Sequence, residues 1–319
     1  MGMYASHCHG SAFRSRALSF LHGELTLQSW TSVSAKETTS LGGCAAQWYL
    51  FPFSCTPLRF MPDDAQTSSD FPPAEPQAAA PRPFIQNSGT RRTLHFTQQE
   101  IQSSMSTLNP DALELEYTRM MMGFVLFNPA PARILMVGLG GGSLPKFCHR
   151  YLADSAIDVV EIDPAVIALR EAFMVPRDDD RFRVLQADAA DHMRGLSDHA
   201  DVILLDGFGI GGIPGPLCSA EFYADCFRAL REDGILVINF HVNHPDHHDY
   251  MDRVRASFGS SMFEVVDDDM TNSIVFACKG DLLDDPAAAE LRRPSSMSKD
   301  AWRQLMPTMK VIGATLELR

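Results

Sequence analysis

Short runs of apolar residues alternate with segments of helical spacing through the middle of the chain. Five runs form the series: residues 134–137, 157–162, 182–186, 200–205 and 235–239. Uninterrupted apolar runs of this length are typical of parallel strands that are covered on both faces. Helical spacing lies between them at 164–173 and 221–230, and again at 250–258 before two last strands at 263–266 and 273–278. This alternation predicts an α/β fold with a doubly wound, mostly parallel sheet.

The flanking segments have different patterns, which divide the chain into four parts. Residues 1–90 are rich in Ser, Pro and Ala without a lasting period, so we expect a low-complexity, disordered extension, with Met61 as an alternative start of translation. Residues 91–128 carry short alternating pieces and then a helical period over 111–127, which predicts a small β segment followed by a helix. Residues 129–280 hold the α/β domain, and residues 281–319 form a C-terminal tail.

A glycine-rich turn, GLGGGS at residues 138–143, follows the first apolar run. Gly138, Gly140 and Gly142 remove side chains from a turn between a strand and a helix, so a ligand can approach the backbone closely. Glu161 follows about 20 residues later, near the carboxyl end of the second strand, where a carboxylate can accept both hydroxyls of a ribose. We interpret this unit as a nucleoside-binding site.

Two further acids end the next apolar runs. Asp188 follows the third strand and could accept a hydrogen bond from an adenine amine, and Asp206 ends the fourth strand, where the reacting end of the ligand should lie. Ligands bind such sheets at the carboxyl ends of the strands, although a carboxylate there is often only a helix cap. A nicotinamide dinucleotide fits less well, because Ser143 stands where the GxGxxG pattern needs its third glycine.

Composition and charge narrow the classes of partner. The 319 residues carry a formal net charge of −13, which opposes binding to a nucleic-acid backbone or an anionic membrane. No apolar run approaches the length of a membrane span, and seven cysteines without a CxxC pair indicate reduced thiols in a cytoplasmic protein. We expect a small-molecule partner, and a homodimer stays open as the assembly.

Four histidines lie close together after the fifth strand, at His241, His244, His247 and His248. Pro245 interrupts helical spacing among them and no Cys joins them, so we expect a loop at the rim of the site and no metal centre. The glycine-rich stretch 207–215 after Asp206 is expected to close over the site.

These motifs together resemble the spermidine synthase family, the polyamine aminopropyltransferases built on the S-adenosylmethionine-dependent methyltransferase fold. The resemblance covers roughly residues 91–280, including LLDGFGIGGIPGPL and EFYADCFRALREDGILVIN. It implies that Glu161 holds the ribose, Asp188 contacts the adenine and Asp206 is the base that deprotonates the attacking amine. It also implies that Gln102 and Tyr117 bind the substrate, and that decarboxylated S-adenosylmethionine or S-adenosylmethionine is the co-substrate.

Two positions depart from the family pattern. Gly141 stands where the family's GGGDGG motif has an Asp that grips the aliphatic amine of the nucleoside, and Gly209 stands for the second Asp of its DxxDP loop. Burying the two cations of a diamine requires paired acids, so the residues support the nucleoside half of the site better than the diamine half. Two alternatives stay open: a methyltransferase acting on a small nucleophile, and a non-catalytic nucleoside-binding module.

Overall fold

A computed structural model describes residues 82–98, 100–209 and 212–317 of the chain. The described part opens with a small antiparallel sheet of three strands, β1 (Phe84–Ser88), β2 (Arg91–His95) and β3 (Ile101–Ser106). β1 lies inside the segment expected to be disordered, so regular structure begins earlier than the pattern indicated. The expected disorder of residues 1–81 lies outside the described residues, and the four-part division of the chain stays a prediction.

The second sheet has seven strands and forms the centre of the domain. They are β4 (Arg133–Val137), β5 (Ala156–Glu161), β6 (Phe182–Gln186), β7 (Ala200–Leu205), β8 (Leu230–His241), β9 (Met262–Val266) and β10 (Asn272–Lys279). Their order is β6-β5-β4-β7-β8-β10-β9, in which β4 to β8 are parallel and β10 runs antiparallel to both of its neighbours. The prediction of a doubly wound, mostly parallel sheet is therefore confirmed.

Helices cover both faces of this sheet. They are α1 (Glu116–Met121), α2 (Ser143–Tyr151), α3 (Pro164–Ile167), α4 (Ala189–Arg194), α5 (Ala220–Ala229), α6 (His247–Phe258) and α7 (Lys299–Glu317). Successive side chains of β4 pack on opposite faces of the sheet. Ile134 and Met136 belong to one core cluster, and Leu135 and Val137 belong to the other. No helix in the described part of the chain is both long and apolar enough to cross a membrane.

Three helical segments differ from the sequence expectation. The helix predicted over 111–127 is divided into α1 and a 3₁₀ helix, Met122–Leu126, in which a side chain at Gly123 would lie 2.6 Å from Ile312. The helix predicted over 164–173 is the single turn α3, followed by turns. The expected tail contains α7, whose residues Trp302, Leu305 and Met309 are buried at helical spacing against the core.

Candidate active site

A cavity of about 710 Å³ opens at the carboxyl edge of the parallel strands. It collects groups from β4, β5, β7 and β8, because the ends of parallel strands meet at one edge of a sheet. All but one of the predicted site residues line it, namely Gln102, Tyr117, Gly138, Gly140, Glu161, Asp188 and Asp206. Gly142 does not: it precedes α2 in a left-handed conformation, and a side chain there would meet Val175 at 2.4 Å.

The glycine turn is shaped by the strand beside it. Gly138 has a φ of +92°, and a Cβ there would lie 2.3 Å from the carbonyl oxygen of Asp206, so only glycine lets β4 and β7 end side by side. Gly140 has a φ of +50° and faces open space on the cavity side. The backbone of the turn is therefore accessible to a ligand at the position that the sequence predicted.

Glu161 is tied to the glycine turn by its own carboxylate. Oε2 accepts a hydrogen bond of 2.9 Å from the backbone N–H of Leu139, and Oε1 accepts one of 2.8 Å from the N–H of Asp163. The side chain is 9% exposed and lines the cavity. Each oxygen keeps a lone pair, so the carboxylate can still accept hydroxyl groups from a bound sugar.

Asp188 has a structural role as well as a place in the cavity wall. Its Oδ1 caps α4 by accepting 2.8 Å from the N–H of Ala190, which leaves Oδ2 for a ligand. Ile162 lies on the same wall with its side chain 63% exposed, beside Glu161. A flat heterocycle in this part of the cavity would cover that apolar surface, and the sequence analysis did not identify Ile162 as a site residue.

Asp206 is held between two neutral groups. The hydroxyl of Tyr117 donates 3.3 Å to Oδ2, and the amide Nδ2 of Asn239 donates 2.9 Å to Oδ1. Burial raises the pKa of the Asp206 carboxyl above its ordinary value, while the hydrogen bonds from Asn239 and then Tyr117 lower it. Burial, followed by the neighbouring charge of Asp206, raises the pKa of Tyr117 well above its usual range, so the phenol stays a hydrogen-bond donor.

Asn239 lies two residues before the end of β8, lines the cavity and was missed by the sequence analysis. The rule that found Glu161 and Asp206, a polar side chain at the end of an apolar run, also applies to it, but only acids were considered. Asn239 is 3% exposed, and its Oδ1 accepts 2.9 Å from Nδ2 of Asn272 on β10. Two amides thus connect the acid to β10, the strand that runs antiparallel to its neighbours.

Ser103 of β3 occupies the space beside Gly141. A Cβ at Gly141 would lie 2.5 Å from the Ser103 hydroxyl oxygen and 3.0 Å from Phe173. The Ser103 hydroxyl also lies 3.4 Å from that of Ser143, and both serines line the cavity. The part of the cavity where the family's acid would stand is therefore lined by neutral hydroxyls.

One part of the cavity wall is aromatic. The rings of Phe208 and His241 are stacked with centroids 4.5 Å apart, next to Gly209 and Gln102. Burial is the main cause that lowers the pKa of His241 below its ordinary value, which favours the neutral imidazole. Glu100 is the acid on this side of the cavity.

The four clustered histidines diverge. His241 ends β8, the His244 ring packs 5.2 Å from that of Tyr250, and His247 Nε2 lies 2.9 Å from Glu264. His248 pairs with Asp252 on the surface of α6. Within residues 82–98, 100–209 and 212–317, no three His, Cys, Asp or Glu side chains are grouped as metal ligands.

Comparisons with known proteins identify the family of this chain. The family defined as the spermine/spermidine synthase domain matches residues 114–271. A polyamine aminopropyltransferase of Chromobacterium violaceum is 38% identical over 188 residues, which cover 59% of this chain and 72% of that protein. One from Neisseria meningitidis serogroup A is 35% identical over 199 residues, covering 62% and 76% respectively.

A solved structure supports the fold independently. A probable spermidine synthase from Corynebacterium glutamicum superimposes with a TM-score of 0.55 at 19% identity, over 61% of this chain and 76% of its own. At that identity the likeness concerns the fold alone, while the sequence relatives carry the family assignment. The chain belongs to the spermine/spermidine synthase family, on a fold of the class I methyltransferase type.

Proposed function

We propose that this protein is an aminopropyltransferase of polyamine metabolism, which moves an aminopropyl group from decarboxylated S-adenosylmethionine to a small amine. The observation that carries the proposal is the position of Asp206. Its half-buried carboxylate lines the same cavity as Glu161 and the glycine turn, and neutral donors hold it on both oxygens. This position supports Asp206 as the base, because a carboxylate that can take a proton lies in the cavity proposed to bind the nucleoside.

The nucleoside half of the site is assigned group by group. Glu161 accepts the ribose hydroxyls, the free oxygen of Asp188 accepts the adenine amine, and Ile162 packs on the face of the base. The backbone at Gly138 and Gly140 lies along the chain that bears the sulfonium. These roles are supported by the exposure of each group to the cavity and by the open space at Gly140.

The reaction needs a positioned nucleophile and a base. The lone pair of the acceptor amine attacks the carbon next to the sulfonium, the new C–N bond forms, and the C–S electrons return to sulfur. Methylthioadenosine leaves as a neutral thioether, and the proton from the new ammonium passes to Asp206. Tyr117 and Gln102 help to hold the acceptor, and alignment of the two reactants supplies much of the acceleration.

The acceptor is an amine that carries fewer positive charges than the two of a diamine. Among the acids that line the cavity, Glu161 and Asp188 lie at the nucleoside end and Asp163 caps α3. Asp206 and Glu100 remain for the acceptor, beside the Phe208 ring. Asp206 takes up the proton of the attacking amine, and Glu100 is exposed, so Glu100 pairs only weakly with a second ammonium. Because a second ammonium in the cavity is costly without a strong partner, the site favours acceptors with one cation.

Methyl transfer from S-adenosylmethionine is the second candidate, and one observation favours it. With Gly141, Ser103 and Ser143 in place of an acid, the donor end of the cavity is neutral and does not repel the carboxylate of the unmodified co-substrate. The third reading, a binding module without chemistry, predicts nucleoside binding alone. We expect a cytoplasmic protein without a resident metal.

Mass spectrometry of the product tests these alternatives together. The full chain is incubated with a panel of monoamines and putrescine and with each of the two sulfonium donors. A mass gain of one aminopropyl group and release of methylthioadenosine support the proposal. A methyl gain with release of S-adenosylhomocysteine supports the second candidate, and nucleoside binding without any product supports the third.

A further inference from the structure

A continuous chain of hydrogen bonds connects the proposed base to the turn between β9 and β10. Oδ1 of Asp206 accepts from Asn239, whose own oxygen accepts from Asn272. Asn272 and Asn239 are diagonal neighbours on the β8–β10 ladder, because Asn239 pairs with Ile274. The backbone N–H of Asn272 donates 3.0 Å to Oδ1 of Asp267, which also accepts 2.7 Å from the N–H of Thr271.

The carboxylate of Asp206 fixes which atom of each amide donates in this series of hydrogen bonds. A carboxylate can only accept, so the amide of Asn239 must turn Nδ2 towards Asp206. Its oxygen then faces Asn272, which must present Nδ2 in turn. Asp267 is 6% exposed and holds the turn that carries Asn272, since its Oδ2 also accepts 2.7 Å from the Thr271 hydroxyl.

We propose that Asn239 is a positioning residue for the transfer reaction. It holds Oδ1 of Asp206 away from the reactants, so that Oδ2, beside Tyr117, is the oxygen that takes the acceptor's proton, and Asn272 and Asp267 keep Asn239 in that orientation. This role goes beyond the proposed function and rests on it, because it assigns to Asn239 the geometry of the base.

Other groups near Asp206 do not supply this restraint. Tyr117 from α1 is the titratable side chain that is hydrogen-bonded to it, on the opposite oxygen. The glycine turn contributes backbone contact at Gly138 and no side chain. His241 and Glu100 line the same cavity, and no hydrogen bond joins either of them to Asp206. The amide is therefore the group that sets the direction of Oδ1.

The test compares Asn239→Ala, Asn272→Ala and the double variant by the pH dependence of kcat/KM. Losing a hydrogen bond to a charged carboxylate should move the acidic limb up by about one pH unit in Asn239→Ala. We expect kcat/KM to fall about 10–100-fold, as for a misplaced catalytic group, while the Kd for methylthioadenosine changes less than about twofold. Asn272→Ala should shift the limb in the same direction by less.

The double variant shows whether Asn272 acts through Asn239. If it does, Asn272→Ala adds no further shift once Asn239 is absent, whereas full additivity would overturn that part of the proposal. Ser273→Ala is the matched control, because Ser273 lies on the same strand and its hydroxyl donates to Glu264, away from Asp206. It should leave the limb in place.

A second readout does not need turnover. The pKa of Asp206, measured by carboxyl NMR on the full chain and assigned with Asp206→Asn, should rise in Asn239→Ala. An unchanged pKa and an unchanged acidic limb would make Asn239 a merely structural residue. If Asn239→Ala does not fold, the pKa of Asp206 in Asn272→Ala tests the proposal instead. A raised pKa would support it, and an unchanged or lowered pKa would contradict it. A wild type without transfer activity would contradict the proposed function, while the NMR shift would still decide on Asn239.

Discussion

The Tyr117 hydroxyl donates a hydrogen bond of 3.3 Å to Oδ2 of Asp206, and so joins the helix before the domain to the end of β7. Both side chains line the cavity, and each changes the acid–base behaviour of the other. The phenol lowers the pKa of the acid, and the acid raises that of the phenol. The site thus depends on a contact between two parts of the chain that are far apart in sequence.

Tyr117→Phe tests this contact. Removal of the hydroxyl takes away one group that lowers the pKa of Asp206, while burial remains, so the folded-state pKa should rise. Because the base acts when it is ionised, the acidic limb of kcat/KM should move to higher pH, with a loss of about tenfold at neutral pH. A profile that overlays the wild type would show that the hydroxyl does not influence the base.

Glu161→Gln tests the ribose site. In the variant an NH₂ group replaces one of the two carboxylate oxygens, each of which accepts a backbone N–H. The negative charge that would strengthen hydrogen bonds from the sugar hydroxyls is also lost. Binding of methylthioadenosine, measured by calorimetry, should weaken by about 1.5–3 kcal/mol. Glu171→Gln, whose side chain is 91% exposed, is the control. Equal affinities for all three proteins would remove Glu161 from the site.

Lys146 provides a test of stability against pH. It is 1% exposed, its Nζ donates 2.9 Å to the carbonyl of Phe173, and burial lowers its pKa to about 8. The unfolded chain, with a pKa of roughly 10.4, binds more protons between these values. The free energy of unfolding should therefore rise from pH 8 to pH 10.4, by on the order of 3 kcal/mol from this group.

Denaturant titrations of Lys146→Met measure that contribution. Relative to the wild type, the variant should lack the rise in this pH window, since Met does not titrate. Lys310→Met, at an exposed position of α7, is the matched control and should retain the rise. Parallel curves for wild type and Lys146→Met would contradict the account of a buried lysine with a lowered pKa.

Gly141→Asp tests the neutral donor end. A side chain there collides with Ser103 and Phe173, so the single variant should be destabilised by about 1–3 kcal/mol. In a Ser103→Gly background the hydroxyl and its Cβ are removed, and part of that loss should be recovered. The double variant should also prefer the decarboxylated donor over S-adenosylmethionine by more than the wild type does, as measured by competition. An unchanged preference would show that this end of the cavity does not contact the donor's chain.

The central sheet and its acids were predictable from the sequence because the apolar runs were distinct and three of them had an acid at or close to the carboxyl end. Glu161 lies near the end of its run, Asp188 lies two residues after its run and Asp206 directly follows its run, so pattern and chemistry could be read together. The direction of β10 was not predictable in the same way, since an apolar strand has the same period in either direction. Its antiparallel insertion is what brings Asn272 beside Asn239.

Contacts between distant segments account for most of the rest. Ser103 fills the space at Gly141 across 38 positions of sequence, and no local pattern indicates that neighbour. β1 has mixed polarity and begins directly after Pro83, so its sequence pattern did not indicate a strand. α7 was overlooked although its buried residues follow helical spacing, because the segment before it has no apolar period.

The most direct test of the account is the turnover of Asp206→Asn. The amide keeps the shape and polarity of the side chain but cannot take the proton of the attacking amine. Mass spectrometry should show product formation reduced by about 10²–10⁴-fold with methylthioadenosine affinity nearly unchanged, while Asp191→Asn, an exposed position on α4, behaves like the wild type. Turnover of Asp206→Asn equal to that of the wild type would contradict the assignment of Asp206 as the base.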